Sequence, residues 1–164
     1  MEPVADLRVP TATFMAEVVL VGGEALRGQF PVPAQTSWHA GPVLPVERLN
    51  DEADFFPFLT EAGPVVVNKR QVAWVTFDLR MVPQTDEEIA VESSHLVPEQ
   101  RVWVDVAGRR LDGVLFMDLP GYKNRVLDYL NEPSRFLRLR NGTWLHYVGR
   151  SHITRVIEIG AGAS

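Results

Sequence analysis

The sequence predicts a mostly-β protein made of two tandem five-stranded units, each a bent sheet or small barrel with a short inserted helix. Three observations predict it: the chain matches itself at a nearly constant offset, its apolar residues alternate in short runs, and glycine- or proline-containing turns separate these runs. Alternation with a period of two is typical of half-buried strands. Short strands joined in succession favour a strongly bent sheet, because closure protects strand edges from unwanted pairing.

An internal repeat emerges when the chain is compared with itself. At an offset of 85 residues VVLVGGEALRGQF meets WVDVAGRRLDGVL, and at an offset of 81 the match continues without a gap to the last strand. The aligned pairs include Gly23 with Gly108, Gly28 with Gly113, Leu49 with Leu130 and Asn50 with Asn131. The two offsets differ only between Gly28 and Leu49, so the length change falls in one segment, as a surface loop tolerates.

The repeat divides the chain into five parts. We expect an N-terminal arm at 1–15, a first repeat at 16–78, an acidic linker at 79–100, a second repeat at 101–159 and a disordered tail at 160–164. The arm carries two prolines, and the tail reads GAGAS and has nothing to bury. The middle of the linker, DEEIAVESS, is predicted to form a short helix.

Each repeat follows the plan strand, strand, short helix, strand, strand, strand. In the first repeat PVERLNDEA begins with a proline, which suits the first turn of a helix, and in the second NRVLDYLNE is amphipathic. The strands are expected at 17–21, 26–32, 55–59, 65–68, 72–77, 102–106, 111–117, 136–139, 144–148 and 153–159. Asn141-Gly142 predicts a primed two-residue turn with positive φ at both positions. In that register Arg138 lies opposite Leu145, and no single inward face results.

The composition is that of a globular protein, with 46% hydrophobic and 23% charged residues among 164. No apolar run approaches the roughly 20 residues of a membrane helix. The N-terminus lacks the apolar segment of a secretory signal. The chain contains no cysteine, which excludes disulfides and thiolate metal sites. We therefore expect a cytoplasmic protein that does not associate with membranes.

Charge is distributed unevenly along the chain. The net charge is −5, but residues 1–100 hold 6 basic and 15 acidic side chains, whereas residues 101–164 hold 10 basic and 6 acidic ones. This asymmetry makes the second repeat the better candidate for an anionic partner. Alternatively, the basic part docks against the acidic part.

Two pairs of motifs resemble the Sm-like (Lsm, Hfq-like) family. VLVGGEALRG and VDVAGRRLDG are similar to the family's glycine-containing hairpin, and VNKRQVAWV and VGRSHITRV are similar to its closing pair of strands with a tight basic turn. The resemblance covers about 120 residues as two tandem copies. It implies small barrels that bind RNA or assemble through strand edges.

The resemblance implies RNA contacts at the basic turns, Lys69 and Arg70 in the first copy and Gly149 and Arg150 in the second. In the family a short turn between the second and third strands carries an Asp and an Asn that help to bind bases. Here 16 to 20 residues with a helix replace that turn. Asp118 and Asn124 lie near the matching place. Among the arginines of the second copy we add Arg138 and Arg140 to this candidate set, because cations that track a nucleic-acid backbone accompany aromatics that stack on bases.

Catalysis, metal binding and cofactors are not predicted. Ser93-Ser94-His95 lacks a glycine elbow for a nucleophile, and the histidines are too scattered for a metal-ligand spacing. These histidines are His39, His95, His146 and His152. His146 and His152 lie on adjacent predicted strands, where an approach is geometrically open to them, but hydrogen-bonded side chains without a metal are the expectation.

Three functions are therefore considered. The preferred one is a non-catalytic module that forms homo-oligomers through strand edges and holds a protein partner on a basic surface. The alternative is a protein that binds single-stranded RNA at the basic turns. A lesser alternative is a cyclic-dinucleotide barrel of the PilZ type, whose R-x-x-x-R spacing differs from the R-x-x-R-x-R of residues 135–140.

Overall fold

The computed structural model describes residues 11–94, 97–117 and 125–160. Over this part of the chain the protein is mostly β, as predicted: ten strands form one antiparallel sheet with a few short helices. None of the described helices is long and apolar enough to cross a membrane. Residues 1–10 of the expected arm and 161–164 of the expected tail lie outside the described residues.

The strands and helices fall where the sequence predicts them, with differences at the ends. The strands are β1 Thr11–Leu20, β2 Ala25–Pro33, β3 Phe55–Thr60, β4 Gly63–Asn68, β5 Val72–Asp78, β6 Glu99–Val106, β7 Arg109–Phe116, β8 Phe136–Asn141, β9 Trp144–Gly149 and β10 Ile153–Ile159. The helices are α1 Pro45–Asn50, α2 Asp86–Ser93 and α3 Val126–Leu130. Short 3₁₀ turns at Lys69–Gln71 and Arg150–His152 precede β5 and β10.

Two of the predicted boundaries are wrong. Residues 11–15 belong to β1 and not to an arm, because they pair with β2 from Thr11 opposite Pro33 onwards. The acidic linker ends earlier than expected, since β6 already begins at Glu99. In both places strand pairing extends beyond the apolar run that marks the strand in the sequence.

The strand order has the same connectivity in both halves of the chain. Neighbouring strands follow the order β10-β6-β7-β8-β9-β5-β1-β2-β3-β4. The first half, β1–β5, therefore runs fifth, first, second, third, fourth, and the second half, β6–β10, does the same. The halves join where β5 pairs with β9. We call this pairing the seam.

Two hydrophobic cores lie on the sheet, and the halves share both. The first core is built around Phe30, Phe56 and Phe77, with Phe30 and Phe77 at a centroid distance of 5.6 Å. It also takes Phe136 and Tyr147 from the second half. The second core in turn receives Val19, Ala73 and Trp74 from the first half. Neither half buries its apolar residues alone.

The position of β8 and β9 between the two cores explains why no inward face could be assigned there. In β8 the side chain of Phe136 packs in the first core, while those of Leu137 and Leu139 pack in the second. Both faces are covered, so apolar residues need not alternate with polar ones.

The predicted turn at Asn141-Gly142 is also wrong by one residue. Asn141 pairs with Trp144, so the two turn residues are Gly142 and Thr143. Of these, Gly142 alone has positive φ, at 60°, which is the type II′ pattern. The shift places Arg138 opposite Tyr147 and not opposite Leu145. A primed turn with positive φ at both positions occurs instead at Ala107-Gly108, with φ of 49° and 77°.

Gly28 and Gly113 allow the third strand of each half to approach closely. A Cβ added to Gly28 would lie 2.0 Å from the carbonyl oxygen of Leu59. A Cβ added to Gly113 would lie 2.9 Å from the carbonyl oxygen of Arg140, the position that matches Leu59 at the 81-residue offset. A glycine at the matching position therefore allows the same close approach of two strands in both halves.

We expect Gly28→Ala to lower the free energy of unfolding by about 1–3 kcal/mol, because the new methyl group would overlap the backbone of β3. Gly22→Ala is the control, since a Cβ there meets nothing within 4 Å, and it should change stability by less than about 0.5 kcal/mol. Urea unfolding measures both. Equal stability of the two variants would contradict the close approach.

Candidate functional site

The seam brings together two turns that are 81 residues apart in the sequence. Along it Trp74 pairs with Val148 and Val75 with Tyr147, and these four side chains are buried. Because β5 follows the turn Lys69–Gln71 and β9 precedes the turn Arg150–His152, the two turns lie side by side at one end of the seam. His152 contacts the carbonyl oxygen of Arg70 through its Nε2 atom.

A pocket of about 540 Å³ opens between these turns and the segment that links α3 to β8. Lys69, Arg70, Gly149 and Arg150, the turn residues that the resemblance selects, all line it. The rest of its wall consists of Leu130, Asn131, Glu132, Pro133, Ser134, Arg135, Phe136 and Ser151. The structure therefore collects both predicted basic turns into a single site.

Lys69 is a structural cation and not a free one. Its side chain is almost fully buried, and its Nζ donates to the carbonyl oxygen of Arg48 at 2.7 Å and to Oδ1 of Asp51 at 2.6 Å. Carbonyl oxygens at the C-terminal end of a helix lack donors within the helix. Lys69 supplies such a donor to the last turn of α1. Burial lowers the pKa of Lys69, and its hydrogen bond to Asp51 offsets this only in part.

Arg150 occupies the position that matches Lys69 at the 81-residue offset and has the same role. Its Nη1 donates to the carbonyl oxygens of Tyr129 and Leu130 at 3.0 Å and 2.8 Å, at the end of α3. Its Nε donates to Oγ of Ser134 at 3.2 Å. In each half, therefore, a cation from the turn before the last strand binds the carbonyl oxygens at the C-terminal end of the inserted helix.

Arg150 differs from Lys69 in its charge balance. No described carboxylate lies within ion-pair distance of its guanidinium, and its Nη2 has no hydrogen-bond acceptor among the described residues. Burial lowers the pKa of Arg150, and attraction to Tyr129 and Glu132 opposes this only in part. A half-buried cation without an ion pair is electrostatically suited to receive an anion.

Arg70 and Arg135 supply the remaining positive charge of the pocket. The side chain of Arg70 is 74% exposed, with Nε 3.9 Å from Asp54. Arg135 is held more firmly across the halves, since its Nη2 donates to Asp54 at 2.7 Å and its Nη1 to the carbonyl oxygen of Ala53. Arg135 is one of the arginines of the second copy that favour an anionic partner, but the candidate set chosen from the sequence omits it.

Arg138 and Arg140 do not join this pocket. Both bind α2, the helix of the acidic linker, with Nε of Arg138 donating to Glu92 at 2.7 Å and Nη1 to Glu88 at 2.8 Å. Nη1 of Arg140 donates to the other carboxylate oxygen of Glu92 at 2.7 Å. The predicted basic surface on β8 is therefore neutralised, as in the alternative in which the basic part docks against the acidic part.

The remaining candidate residues do not extend the site. Asp118, Asn124 and His95 lie outside the described residues. His146 and His152 have different partners and do not form a pair, because Nδ1 of His146 lies 2.7 Å from the hydroxyl of Thr76. Within the described ranges no three His, Cys, Asp or Glu side chains are grouped so as to hold a metal ion.

No protein-family model, curated protein or solved structure significantly matches this chain.

His146 at the seam should make the protein less stable in mild acid. Burial lowers the pKa of His146 from 6.5 to about 4. The unfolded chain then binds a proton more readily than the folded one, so the stability from neutral His146 is complete above about pH 6.5 and is lost as the pH falls towards 4. We expect a loss of about 2–3 kcal/mol over that window.

Urea unfolding at pH 7 and at about pH 4.5 measures this loss, and His146→Gln should remove most of it. The carboxyl groups of Asp78 and Asp105 interfere little at pH 4.5, because the stability from their lowered pKa values is present above the unfolded value of 3.8 and is lost as the pH falls from there towards about 2. An identical loss in the variant and in the wild type would show that His146 is not the group responsible.

Proposed function

We propose that this protein is a non-catalytic, Sm-like assembly module, made of two tandem five-stranded units that join head to tail with further copies through their strand edges. The observation that carries the proposal is the seam. There the fifth strand of the first half, β5, pairs with the fourth strand of the second half, β9. The matching strands at the two ends, β10 and β4, each have one edge unpaired within the described residues.

The open edge of β4 is apolar where its counterpart in the second half is buried. Val66 is 73% exposed, whereas the matching Tyr147 at the seam is 3% exposed. Phe55 at the start of β3 is 51% exposed, whereas the matching Phe136 is 4% exposed. An unpaired apolar strand edge is a template for another strand. A β10 strand from a second copy would cover these side chains as β5 covers β9.

The register of the seam can be carried over to the open edges by the 81-residue offset. Val75 opposite Tyr147 becomes Val156 opposite Val66 of the next copy, and Thr76 opposite His146 becomes Ile157 opposite Val65. Cross-strand pairs of β-branched residues stabilise a sheet. The two free edges are therefore complementary in sequence as well as in direction.

An asparagine that makes a hydrogen bond beside the seam has a matching asparagine near the open end of the second half. Oδ1 of Asn50 accepts a hydrogen bond from the backbone N–H of Phe136 at 2.9 Å. The matching Asn131 has no side-chain hydrogen bond among the described residues, although the sequence repeats the asparagine. In a head-to-tail contact Asn131 would accept from the N–H of Phe55 in the next copy.

Charge complementarity supports the same arrangement. At the seam Arg135 of the second half donates to Asp54 of the first, and these positions match at the 81-residue offset. In a head-to-tail contact Asp54 of the next copy would approach the segment that carries Arg135. The contact between copies would thus contain the same pair of opposite charges as the seam, with the arginine and the aspartate exchanged between the two sides. Pro64 removes one N–H from β4, which makes this edge less suitable for indiscriminate pairing.

A second candidate function is binding of single-stranded RNA at the pocket beside the seam. What favours it is the convergence of Arg70, Arg150 and Arg135 on one pocket, in a protein whose overall charge is negative. Phosphate groups of a strand would take the unpaired Nη2 of Arg150 and the exposed guanidinium of Arg70. Arg150→Glu is not a clean test, because Arg150 also holds the end of α3.

For the assembly proposal we expect wild-type protein to have a mass of several chains in light scattering, and Val66→Lys to shift it towards one chain. A lysine on the strand edge opposes pairing, yet Val66 is too exposed for the change to unfold a single chain. Met81→Lys, at another exposed apolar residue, is the matched control and should keep the wild-type mass. Wild-type protein with the mass of one chain at all accessible concentrations would overturn the proposal.

The register of the contact can be tested separately, because the chain contains no cysteine. Val66→Cys combined with Val156→Cys should form a disulfide between chains on oxidation, since residues opposite each other on paired strands have suitable Cα distances. Val65→Cys with Val156→Cys places one thiol on the other face and should cross-link far less. Equal cross-linking of both pairs would exclude this register.

For the RNA candidate we expect Arg70→Glu to weaken binding of a labelled oligouridine by roughly tenfold at low salt, through lost and reversed charge. Arg27→Glu, an equally exposed arginine on β2 away from the pocket, is the control. Fluorescence anisotropy measures both, and the absorbance ratio of the purified protein reports bound nucleic acid. Equal affinity of the two variants would leave the RNA candidate without a site.

A further inference from the structure

A second cavity, of about 500 Å³, lies between α2 and the sheet, on the other side of Arg150 from the pocket described above. Val91 of α2 lines it from above, and Phe116, Phe136 and Tyr147 contribute aromatic walls. Polar and charged side chains make up the rest of the wall beside Val46 and Tyr129, namely Asn50, Glu88, Glu92, Ser134, Arg138 and Arg150. The volume is that of a small-molecule site, and the wall combines aromatic surface with convergent polar groups.

The helix above the cavity is held mainly by charge. None of the described apolar side chains of α2 is buried, and Ile89 is 49% exposed, whereas the side chain of Glu92 is 7% exposed. Glu88 and Glu92 attach it to Arg138 and Arg140, so that all four charges are paired with one another. Gln84, just before the helix, also accepts a hydrogen bond from Arg138 at 2.6 Å. The space below α2 is therefore not filled by the helix itself.

The two arginines that line the cavity differ in whether they have N–H donors left to bind a ligand. The donors of Arg138 are taken by Glu88, Glu92, Gln84 and the hydroxyl of Tyr147. Arg150 lines the same cavity with an Nη2 that has no acceptor among the described residues, and it lacks an ion pair. One charge-assisted hydrogen-bonding site beside aromatic surface thus remains unused.

We propose that this cavity binds a small organic anion with an apolar, aromatic body, whose anionic group is taken by Arg150. The body of the ligand packs against Phe136 and Tyr147 under Val91. Glu88 and Glu92 exclude a second negative charge from the end of the cavity near α2, so the ligand carries its charge at one end. The site shares Arg150 with the RNA candidate but lies on the other side of this residue, because Arg70 does not line this cavity. It also does not depend on assembly through the open edges.

The test compares two fluorescent probes with one aromatic framework. Anilinonaphthalene sulfonate carries an anionic group, and phenylnaphthylamine lacks it. We expect wild-type protein to bind the sulfonate about tenfold more tightly than the neutral probe, as one charge-assisted hydrogen bond allows. Arg150→Gln should remove this preference while binding of the neutral probe is retained. A preference that survives in Arg150→Gln would overturn the role of Arg150.

The location of the site is tested by two substitutions on one helix. Val91→Trp fills the cavity and should weaken binding of both probes by about tenfold or more. Ile89→Trp, on the exposed side of α2, should leave both affinities unchanged. Circular dichroism and thermal unfolding establish that each variant is folded. Equal probe affinities of Val91→Trp and Ile89→Trp would overturn the proposal even if Arg150→Gln does not fold.

Binding elsewhere is separated by variants already described. Arg70→Glu alters the pocket between the turns, and Val66→Lys alters the open edge of β4, and neither residue lines this cavity. Both variants should bind the sulfonate probe as the wild type does. Loss of probe binding in either would assign the probe to that other surface and overturn the cavity as its site.

Discussion

The pairing of β5 with β9 is the contact on which the other features of the molecule depend. It joins ten strands into one sheet, and it passes Phe136 and Tyr147 into one core and Ala73 and Trp74 into the other. A unit of about 65 residues buries little surface alone, so each half completes its core with residues of the other. The same pairing aligns two turns distant in sequence and creates both cavities that meet at Arg150.

Most cations near the seam are used to hold the structure together. Lys69 and Arg150 satisfy the carbonyl groups at the ends of α1 and α3, and Arg138 binds the carboxylates of α2. Each arrangement follows from the cost of burying a charge or a carbonyl without a partner. Arg150 departs from the rule because its carbonyl acceptors carry no net charge. That imbalance is why Arg150 figures in both the RNA candidate and the cavity proposal.

The seam is a heterologous contact, in which different strands of two similar halves meet. A contact of this type leaves one unpaired strand edge at each end of the sheet. Further copies can add to these edges in the same way, unless the ends are blocked. In this chain the two ends carry exposed apolar residues, and the side chain of Asn131 has no hydrogen bond among the described residues, which is what our assembly proposal uses. The edges are limited in number and length, and Pro64 restricts what pairs with one of them.

Local patterns in the sequence determined the mostly-β class and the places of strands and helices. They did so because alternation, turn residues and glycine act through neighbours in the chain. The basic turns of the family resemblance also pointed to Lys69 and Arg150, but as RNA contacts and not as the cations that bind the ends of the helices. The tertiary structure alone decided that β8 and β9 lie between two cores and that α2 neutralises Arg138. It also decided that Arg135 joins the pocket. These features depend on contacts between residues some 50 to 80 positions apart, where no local pattern carries information.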